Sequence, residues 1–327
     1  YIFGQLLNSG EDVKYITIDD LRFHVFYHDV EKEVTKKDKT NIRIYNRTGQ
    51  NIKKILADTD ELIINLGVHV PGKYLSALPG TLHEVVEFLK GFKGKKVLTG
   101  PAVLGTQLEG GKFFEKVDLS FFDEVKQFPF SFDTLQKAAL AGVDILKSIP
   151  YPVVIEIETG RGCNIGRCSF CTEPLKNRFV NRKMEDVLEE VVAYYDAGAR
   201  YFRLGKQADF YSIDRPIELL KLIRKKCKDI KVLHIDNCNP VFVVKPGGEE
   251  ITKAIVQYCT PGNIAAFGIE SFDPVVVKAN TLNTMPAVGR KAIEIINKYG
   301  AERGENGMPK FLPGINIIFG LKDESKK

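Results

Sequence analysis

The chain has 327 residues, of which 44% are hydrophobic and 27% charged, a balance typical of soluble globular proteins rather than of disordered ones. Its formal charge of +5 at pH 7 is a small excess of 47 basic over 42 acidic side chains, which indicates an anionic partner only weakly. The apolar runs are much shorter than the ~20 residues of a membrane span and no charged and apolar leader is seen, so we expect no membrane span and a cytoplasmic location.

Residue usage and the chain ends add three expectations. Six cysteines in such a chain argue for thiolates in metal or redox work and against a disulfide framework. Abundant lysine and glutamate, no tryptophan and three methionines are typical of a thermophilic protein with many surface ion pairs. Because the chain starts at Tyr1 and stops just after a strand pattern, we also expect a fragment that lacks segments at both ends.

The first hundred residues alternate helix and strand patterns. The helical stretch "YIFGQLLNSGEDV", which ends near Gly10, precedes the β-branched run "KYITID". The amphipathic "NIKKILADTD" precedes the apolar "ELIINLGV", and "GTLHEVVEFLKGF" precedes "KGKKVLTGPAV". Continuous apolar strands between helices are typical of parallel sheets. The pattern predicts an α/β fold, with a doubly wound, Rossmann-like domain over residues 1–105.

The periodicity weakens over residues 106–150, which we interpret as a connector with one helical run, "QKAALAGVDILKSI". From residue 151 the alternation resumes. Its strand patterns are "VVIEIE", "RYFRLG", "KVLHID", "NIAAFGIE" and "PGINIIFG", with helix patterns "MEDVLEEVVAYYDAGA", "PIELLKLIRKKC", "EEITKAIVQYC" and "AVGRKAIEIINKYG" between them. Such a series predicts a partial (β/α) barrel over residues 151–327, with its chemistry at the carboxyl ends of the strands.

Three of the six cysteines lie together in "RGCNIGRCSFC", directly after the first barrel strand. Cys163, Cys168 and Cys171 sit on a glycine-rich loop that can aim three thiolates at one centre. Structural zinc is usually closed by four protein ligands, and no second Cys or His pair with ligand spacing follows. An iron–sulfur cluster held by three thiolates would leave one iron open for a substrate. Incidental cysteines are the remaining alternative.

The motif "RGCNIGRCSFC" resembles the cluster loop of radical S-adenosylmethionine enzymes, in which three cysteines hold a four-iron four-sulfur cluster. The resemblance covers residues 151–327. It implies that S-adenosylmethionine binds the open iron, and that the backbone of Phe170, the aromatic before the last cysteine, contacts its adenine. The first gap of the motif has four residues here, where three are usual, so the subfamily is less clear than the cluster.

The resemblance also implies roles for residues at later strand ends. "FRLGKQADF" lies where the family binds the methionine amino group, which makes Gly205 and Gln207 candidates. "FGIESFDP" resembles the ribose-binding strand, with Glu270 and Ser271 able to bond hydroxyl groups. "GINIIFGLKDES" resembles the strand on which Ile317 would pack against adenine.

The third barrel strand ends in "HIDNCNP", where His234, Asp236 and Cys238 occupy every second position. Asp236 is a candidate for substrate or proton handling, with a hydrogen-bonded structural carboxylate as the alternative. Cys227 and Cys259 lie near helix ends, and we expect them to be small core side chains.

The first domain also carries a resemblance. "LLNSGEDVKYITIDD" is similar to part of the cobalamin-binding Rossmann-like domains that precede the barrel in one class of radical S-adenosylmethionine enzymes. Gly67, Gly100 and Gly105 at strand ends would let a nucleotide tail approach the backbone. The Asp-x-His-x-x-Gly ligand pattern of other cobalamin proteins is absent, and His69 lies in "LGVHVPG". A domain that recruits substrate and binds no cofactor is the alternative.

Three functional hypotheses follow. The first is a radical S-adenosylmethionine enzyme that generates a 5′-deoxyadenosyl radical, in one form for cobalamin-dependent methylation of an unactivated carbon. The second is such an enzyme without cobalamin, acting on RNA, a peptide, a lipid or a small molecule. The third is a non-catalytic metal-binding module. Either enzyme implies an electron donor of the ferredoxin or flavodoxin type.

Overall fold

A computed structural model describes residues 1–35, 41–67, 78–104, 106–109, 113–116, 118–150 and 153–325. The chain divides into two compact units, Tyr1–Tyr151 and Pro152–Lys327. Among the described residues, no helix combines the length and the apolar character that crossing a membrane requires.

The first unit mixes helices with short strands. In chain order they are α1 Ile2–Asn8, α2 Ile18–Leu21, β1 Lys32–Thr35, β2 Asn41–Ile44, α3 Ile52–Asp58, β3 Glu61–Asn65, α4 Leu82–Leu89, β4 Lys95–Thr99, β5 Thr106–Glu109, β6 Phe113–Lys116, β7 Glu124–Val125 and α5 Phe132–Ala141. The strand predicted from "KYITID" is wrong, because α2 begins within it at Ile18 and the residues before Ile18 form no strand. Thr17 caps α2 reciprocally with Asp20, and this capping box overrides the β-branched composition.

The central sheet of the first unit is parallel. Strands β3, β4 and β7 run in the order β3-β4-β7, with Ile63 opposite Val97 and Val97 opposite Glu124. Helix α4 supplies Leu82, Val85 and Leu89 to a core that includes β4. The parallel sheet confirms the α/β class, and the Rossmann-like assignment of residues 1–105 stays a prediction.

Residues 106–150 carry more structure than the predicted connector. β5 and β6 pair as an antiparallel hairpin, and β7 adds the third strand to the sheet of the first unit. Helix α5 follows and packs against α1, where Gly4 lies so close that a Cβ there would be 1.9 Å from the Ala138 carbonyl oxygen. A 3₁₀ turn over Gly142–Ser148 ends this part of the chain.

The second unit repeats strand and helix in the predicted order. Its elements are β8 Val154–Glu158, β9 Gly160–Arg161, α6 Glu173–Lys176, β10 Val180–Asn181, α7 Met184–Asp196, β11 Tyr201–Gly205, α8 Pro216–Lys226, β12 Val232–Ile235, β13 Asn237–Cys238, α9 Pro240–Val244, α10 Gly248–Tyr258, β14 Asn263–Glu270, α11 Pro274–Ala279, α12 Pro286–Gly300 and β15 Phe311–Ile317. All five predicted barrel strands are present among these elements.

Apart from the short antiparallel pair of β9 and β10, the strands of the second unit form two parallel sheets that meet at one bent run of chain. One sheet has the order β12-β11-β8 and the other β13-β14-β15. The run changes partner at Asp236, which separates β12 from β13. Beside the bend, the side-chain oxygen of Asn263 accepts a hydrogen bond from the Ile235 N–H at 3.2 Å. In the described part of the chain the strands do not close into a barrel.

The two faces of the first sheet differ in character. The row Ile157, Leu204 and Ile235 is buried and belongs to the core. The row Glu156, Arg203 and His234 lies on the opposite face and is more exposed. The strands therefore present charged groups on one face, and their carboxyl ends lead into the loops that carry the candidate site.

Candidate functional site

The cysteine loop begins where β8 ends and returns to the sheet at β10. β9 and β10 pair antiparallel, Gly160 with Asn181 and Arg161 with Val180, which closes the base of the loop. Gly162 has a φ of +74°, and a Cβ there would lie 2.6 Å from the Arg178 carbonyl group. Glycine is therefore required at this position both by its conformation and by the close approach of the returning chain.

The three cysteines of the loop are free thiols. Cys163, Cys168 and Cys171 are each partly exposed and form no disulfide. The N–H of Gly166 donates to the Cys163 sulfur at 3.3 Å, and the Cys171 N–H donates to the Cys168 carbonyl at 3.1 Å. Phe170 lies between them in sequence and is 42% exposed. The loop thus folds around its own thiols and leaves them accessible.

The thiols are near enough to affect one another. Burial raises the pKa of the Cys168 thiol, a hydrogen bond from the Asn283 backbone opposes the rise, and the charges of Cys171, Cys163 and Glu270 add to it. Several anions that meet at one point disfavour one another unless a cation joins them. A positively charged metal cluster would relieve this repulsion, so the donor set fits an iron–sulfur group.

No group of three or more His, Cys, Asp or Glu side chains within the described residues is arranged to hold one metal ion. A tetrahedral zinc site draws four ligands onto one ion, whereas a four-iron cluster spreads its thiolates over separate irons.

Asn280, which the sequence did not single out, ties the loop to the rest of the unit. Its carbonyl accepts from the Ser169 N–H at 3.0 Å. Its side chain donates to the Lys322 carbonyl at 2.9 Å and accepts from the Lys322 N–H at 3.2 Å. The hydroxyl of the next residue, Thr281, donates to the Arg167 carbonyl at 2.6 Å. The first and last strand ends of the unit are joined through this turn.

Gly205 and Gln207 lie at the β8 and β11 ends. Gly205 is the ladder partner of Glu158, and its carbonyl accepts from the Thr159 N–H at 3.1 Å. Gln207 is 3% exposed, and its side-chain oxygen accepts from the Thr159 hydroxyl at 3.0 Å. A Cβ at Gly205 would meet the Glu156 carboxylate at 2.7 Å, so that carboxylate covers the glycine.

Glu270, Ser271 and Ile317 form a second group at the β14 and β15 ends. Glu270 pairs with Ile317 in the ladder, and its carbonyl accepts from the Ile318 N–H at 3.1 Å. Burial raises the pKa of the Glu270 carboxyl. Its side chain folds back toward Gly268, whose Cβ would be 2.9 Å from a carboxylate oxygen. Ser271 accepts the Asp273 N–H at its hydroxyl, and Ile317 is 43% exposed.

Three charged side chains that were not predicted as site residues lie near Gly205 and Gln207, namely Glu156, Arg203 and Lys206. Glu156 is 3.8 Å from the Lys206 ammonium, and Arg203 pairs with Asp236. The alternation in "VIEIE" was the signal for Glu156, because it sets the acids opposite Ile155 and Ile157. Asp236 therefore has a structural partner, and its predicted part in substrate or proton handling stays a prediction.

The other cysteines are buried. Cys227 and Cys238 are almost completely enclosed and Cys259 is 8% exposed. Burial raises the pKa of Cys227 to about 11 and that of Cys259 to about 12. Such thiols stay protonated and behave as small apolar side chains.

Backbone strain in the second unit gathers around the site. Among the described residues of this unit, five that are not glycine have a φ between +46° and +68°. Four of them lie at strand ends or in turns beside the proposed site, namely Lys206, Glu270, Thr281 and Asp323, and the fifth, Arg215, precedes α8. Left-handed conformations of such residues cost about 1–3 kcal/mol and persist where surrounding structure imposes them.

In the first unit, the candidate glycines serve the chain's own packing. Gly67 has a φ of +104°, and a Cβ there would be 2.4 Å from the Ala102 nitrogen. Gly100 has a φ of +84°, with the Asn65 side-chain oxygen 2.3 Å from its Cβ position. Atoms of the chain itself therefore lie against the Cβ side of both glycines. Gly105 lies outside the described residues, as does His69.

Two surface hollows lie elsewhere on the second unit. One of about 780 Å³ is lined by residues 215–225 and 247–251, and one of about 450 Å³ by residues 181–183 and 213–215. Neither is lined by a predicted site residue.

Comparison with known proteins gives the family. Residues 157–325 match the model of the Radical SAM superfamily. An uncharacterized protein of Methanocaldococcus jannaschii is 38% identical and covers 89% of this chain, and one of Archaeoglobus fulgidus is 37% identical and covers all of it. The chain spans only 63% and 61% of these two relatives.

Among solved structures, the chain is similar to the radical S-adenosylmethionine methyltransferase TsrM of Kitasatospora setae, solved with tryptophan substrate and a SAM analogue bound. The TM-score is 0.53 at 13% identity, over 84% of this chain and 59% of that one. This likeness supports the mixed α/β fold with parallel sheets. The match of residues 157–325, more than half of the chain, shows that the protein belongs to the radical SAM superfamily.

Proposed function

We propose that the protein is a radical S-adenosylmethionine enzyme whose Cys163, Cys168 and Cys171 hold a four-iron four-sulfur cluster. The observation that carries the proposal is the set of three free thiols on one loop at the strand ends. When bound, the cluster would supply one electron, which cleaves S-adenosylmethionine into methionine and a 5′-deoxyadenosyl radical.

The chain's own residues would bind and orient the nucleoside. We assign the methionyl amino group to the strand ends around Gly205 and Gln207, where the Gly205 carbonyl and the Gln207 side-chain oxygen both accept hydrogen bonds from Thr159. Glu270 and Ser271 would bond the ribose hydroxyls, since a carboxylate and a hydroxyl suit them. The backbone of Phe170 and the exposed side chain of Ile317 would contact adenine. The strained φ of Glu270 supports a functional role, because such strain clusters at ligand sites.

The test is anaerobic reconstitution of the full-length protein with iron and sulfide. We expect a brown protein that releases 5′-deoxyadenosine when S-adenosylmethionine and dithionite are added. Cys168→Ala should lose both iron and this product. Cys227→Ala, which also removes one thiol but from the core, should keep both.

Two results would contradict the proposal. A colourless protein with one zinc per chain would support the metal-binding module instead. A Cys168→Ala protein with a full cluster and normal product release would remove this loop from the site.

Cobalamin-dependent methylation is a second, finer candidate. The likeness to TsrM extends over 84% of the chain, more than the second unit alone contains, and TsrM has also been solved with cobalamin bound. The packing of Gly67 and Gly100 offers no independent support. Cobalt content after expression of the full-length protein with cobalamin decides this point. About one cobalt per chain supports methylation, and a cobalt-free protein that still cleaves S-adenosylmethionine contradicts it.

A further inference from the structure

The cysteine loop and the residues that follow it are strongly basic. Residues 161–183 contain six basic side chains and a single acidic one, Glu173. Arg161 and Arg182 pair with glutamates inside the unit. The other four are exposed and form no ion pair among the described residues; they are Arg167, Lys176, Arg178 and Lys183. This segment alone carries a charge as large as the +5 of the whole chain.

Apolar side chains lie among these cations. Leu175 is 85% exposed, Val180 47% and Phe179 41%. Exposed apolar groups rimmed by charges are typical of surfaces that bind other proteins. We name the exposed side chains of residues 175–183 the basic loop face.

The basic loop face is close in sequence to the proposed cluster ligands. Cys171 is four residues before Leu175, and the β9–β10 pairing turns the segment back onto the base of the same loop. The Arg178 backbone itself packs against Gly162, the residue before Cys163. A protein bound on this face therefore contacts the loop that would hold the cluster.

We propose that the basic loop face docks an acidic one-electron carrier protein. The inference rests on the proposed function, since a cluster that delivers electrons must receive them from outside the chain. The transfer is balanced: the carrier is oxidised by one electron, the enzyme gains it, and no bond or proton moves. Redox complexes are small and transient, so a face of this size suffices. Unpaired cations steer an acidic partner and select it over neutral ones.

The test compares two electron sources in the reconstituted full-length protein. A double charge reversal, Lys176→Glu with Arg178→Glu, changes exposed side chains outside the cysteines. With a reduced acidic ferredoxin at low salt, we expect the initial rate of 5′-deoxyadenosine release to fall about tenfold or more. With dithionite, which needs no docking, the rate should equal that of the unchanged protein.

A matched control reverses two exposed cations at the other end of the unit. Lys226 ends α8 and Lys228 follows it, on the side where the strands begin. Lys226→Glu with Lys228→Glu should leave both rates unchanged. Raising the salt concentration should slow the ferredoxin-driven rate of the unchanged protein and of this control, since screening weakens steering.

The outcomes separate the two proposals. The docking inference is overturned if the unchanged protein and the Lys176→Glu, Arg178→Glu variant have equal ferredoxin-driven rates. Equal rates of these two proteins with an acidic flavodoxin would overturn it as well. If the double charge reversal weakens RNA binding and leaves the ferredoxin-driven and flavodoxin-driven rates unchanged, the basic loop face is a nucleic-acid surface instead. If the unchanged protein releases no 5′-deoxyadenosine even with dithionite, the proposed function fails first and the inference with it.

Discussion

Asp209 shows how a single side chain can set the pH response of the second unit. It is 3% exposed, and its carboxylate accepts the N–H groups of Asn239 at 2.8 Å and Tyr211 at 3.3 Å. Its second oxygen has no partner among the described residues. Burial raises the pKa of Asp209 to about 6, although those hydrogen bonds work in the other direction. The folded state therefore binds a proton at Asp209 more tightly than the unfolded chain does.

We predict that Asp209→Asn changes the pH dependence of stability. The folded pKa lies above the unfolded one, so the stabilising effect of the bound proton is full below about pH 4 and is lost as the pH rises through about 6. The loss is about 3 kcal/mol at most. Asparagine cannot ionise, so the variant should gain stability relative to the original between pH 4 and pH 8. Denaturant unfolding across that range measures the difference.

Exposed Asp196 provides the control for this prediction. Asp196→Asn should leave the shape of the stability curve unchanged. The prediction fails if Asp209→Asn and the original chain have parallel curves over the whole range.

At the scale of elements, the loop between β9 and β10 depends on how closely its two arms approach. Gly162 and Gly307 have almost the same φ, +74° and +75°, but only Gly162 has backbone against its Cβ position. We predict that Gly307→Ala costs the strain alone, about 1–2 kcal/mol. Gly162→Ala should cost about 1–3 kcal/mol more because it pushes the Arg178 backbone aside.

Iron retention distinguishes a local effect on the loop from general destabilisation. After reconstitution and challenge with a chelator, Gly162→Ala should lose iron faster than Gly307→Ala. Equal losses of stability and of iron in the two variants would contradict the prediction. They would show that pushing the Arg178 backbone away from Gly162 has no effect beyond the strain of the substitution.

The elements that were predicted correctly are those that short-range sequence patterns determine. The five barrel strands and the cysteine loop follow from alternation and spacing over a few residues. The strand at "KYITID" was mistaken because a four-residue capping box outweighs β-branched content. Asn280 could not be found, because its side chain contacts groups 42 and 111 residues away in sequence. Short β7 was missed because two residues carry no periodicity.

At the scale of the whole molecule, each unit has an apolar core of its own. The core around Leu98, Leu82 and Phe122 uses residues of the first unit alone, and Phe202, Leu204 and Phe267 are buried in the second. We predict two transitions in scanning calorimetry of the reconstituted protein. S-adenosylmethionine at a hundred times its Kd should stabilise only the second unit, by about 2.7 kcal/mol.

Gly162→Ala identifies which transition belongs to the second unit, since it should lower that one alone. A single transition that moves as a whole with S-adenosylmethionine would contradict the prediction and show that the units unfold together.

The left-handed residues around the site have a consequence for engineering and evolution. Glycine at Lys206 or Glu270 would relieve strain of about 1–3 kcal/mol, so a selection for heat resistance alone would be drawn to these two positions. Each such gain would remove a charged group from the strand ends where S-adenosylmethionine is proposed to bind. Stability and the proposed chemistry therefore favour different residues at these two positions. Stabilising substitutions should be sought on the helices instead.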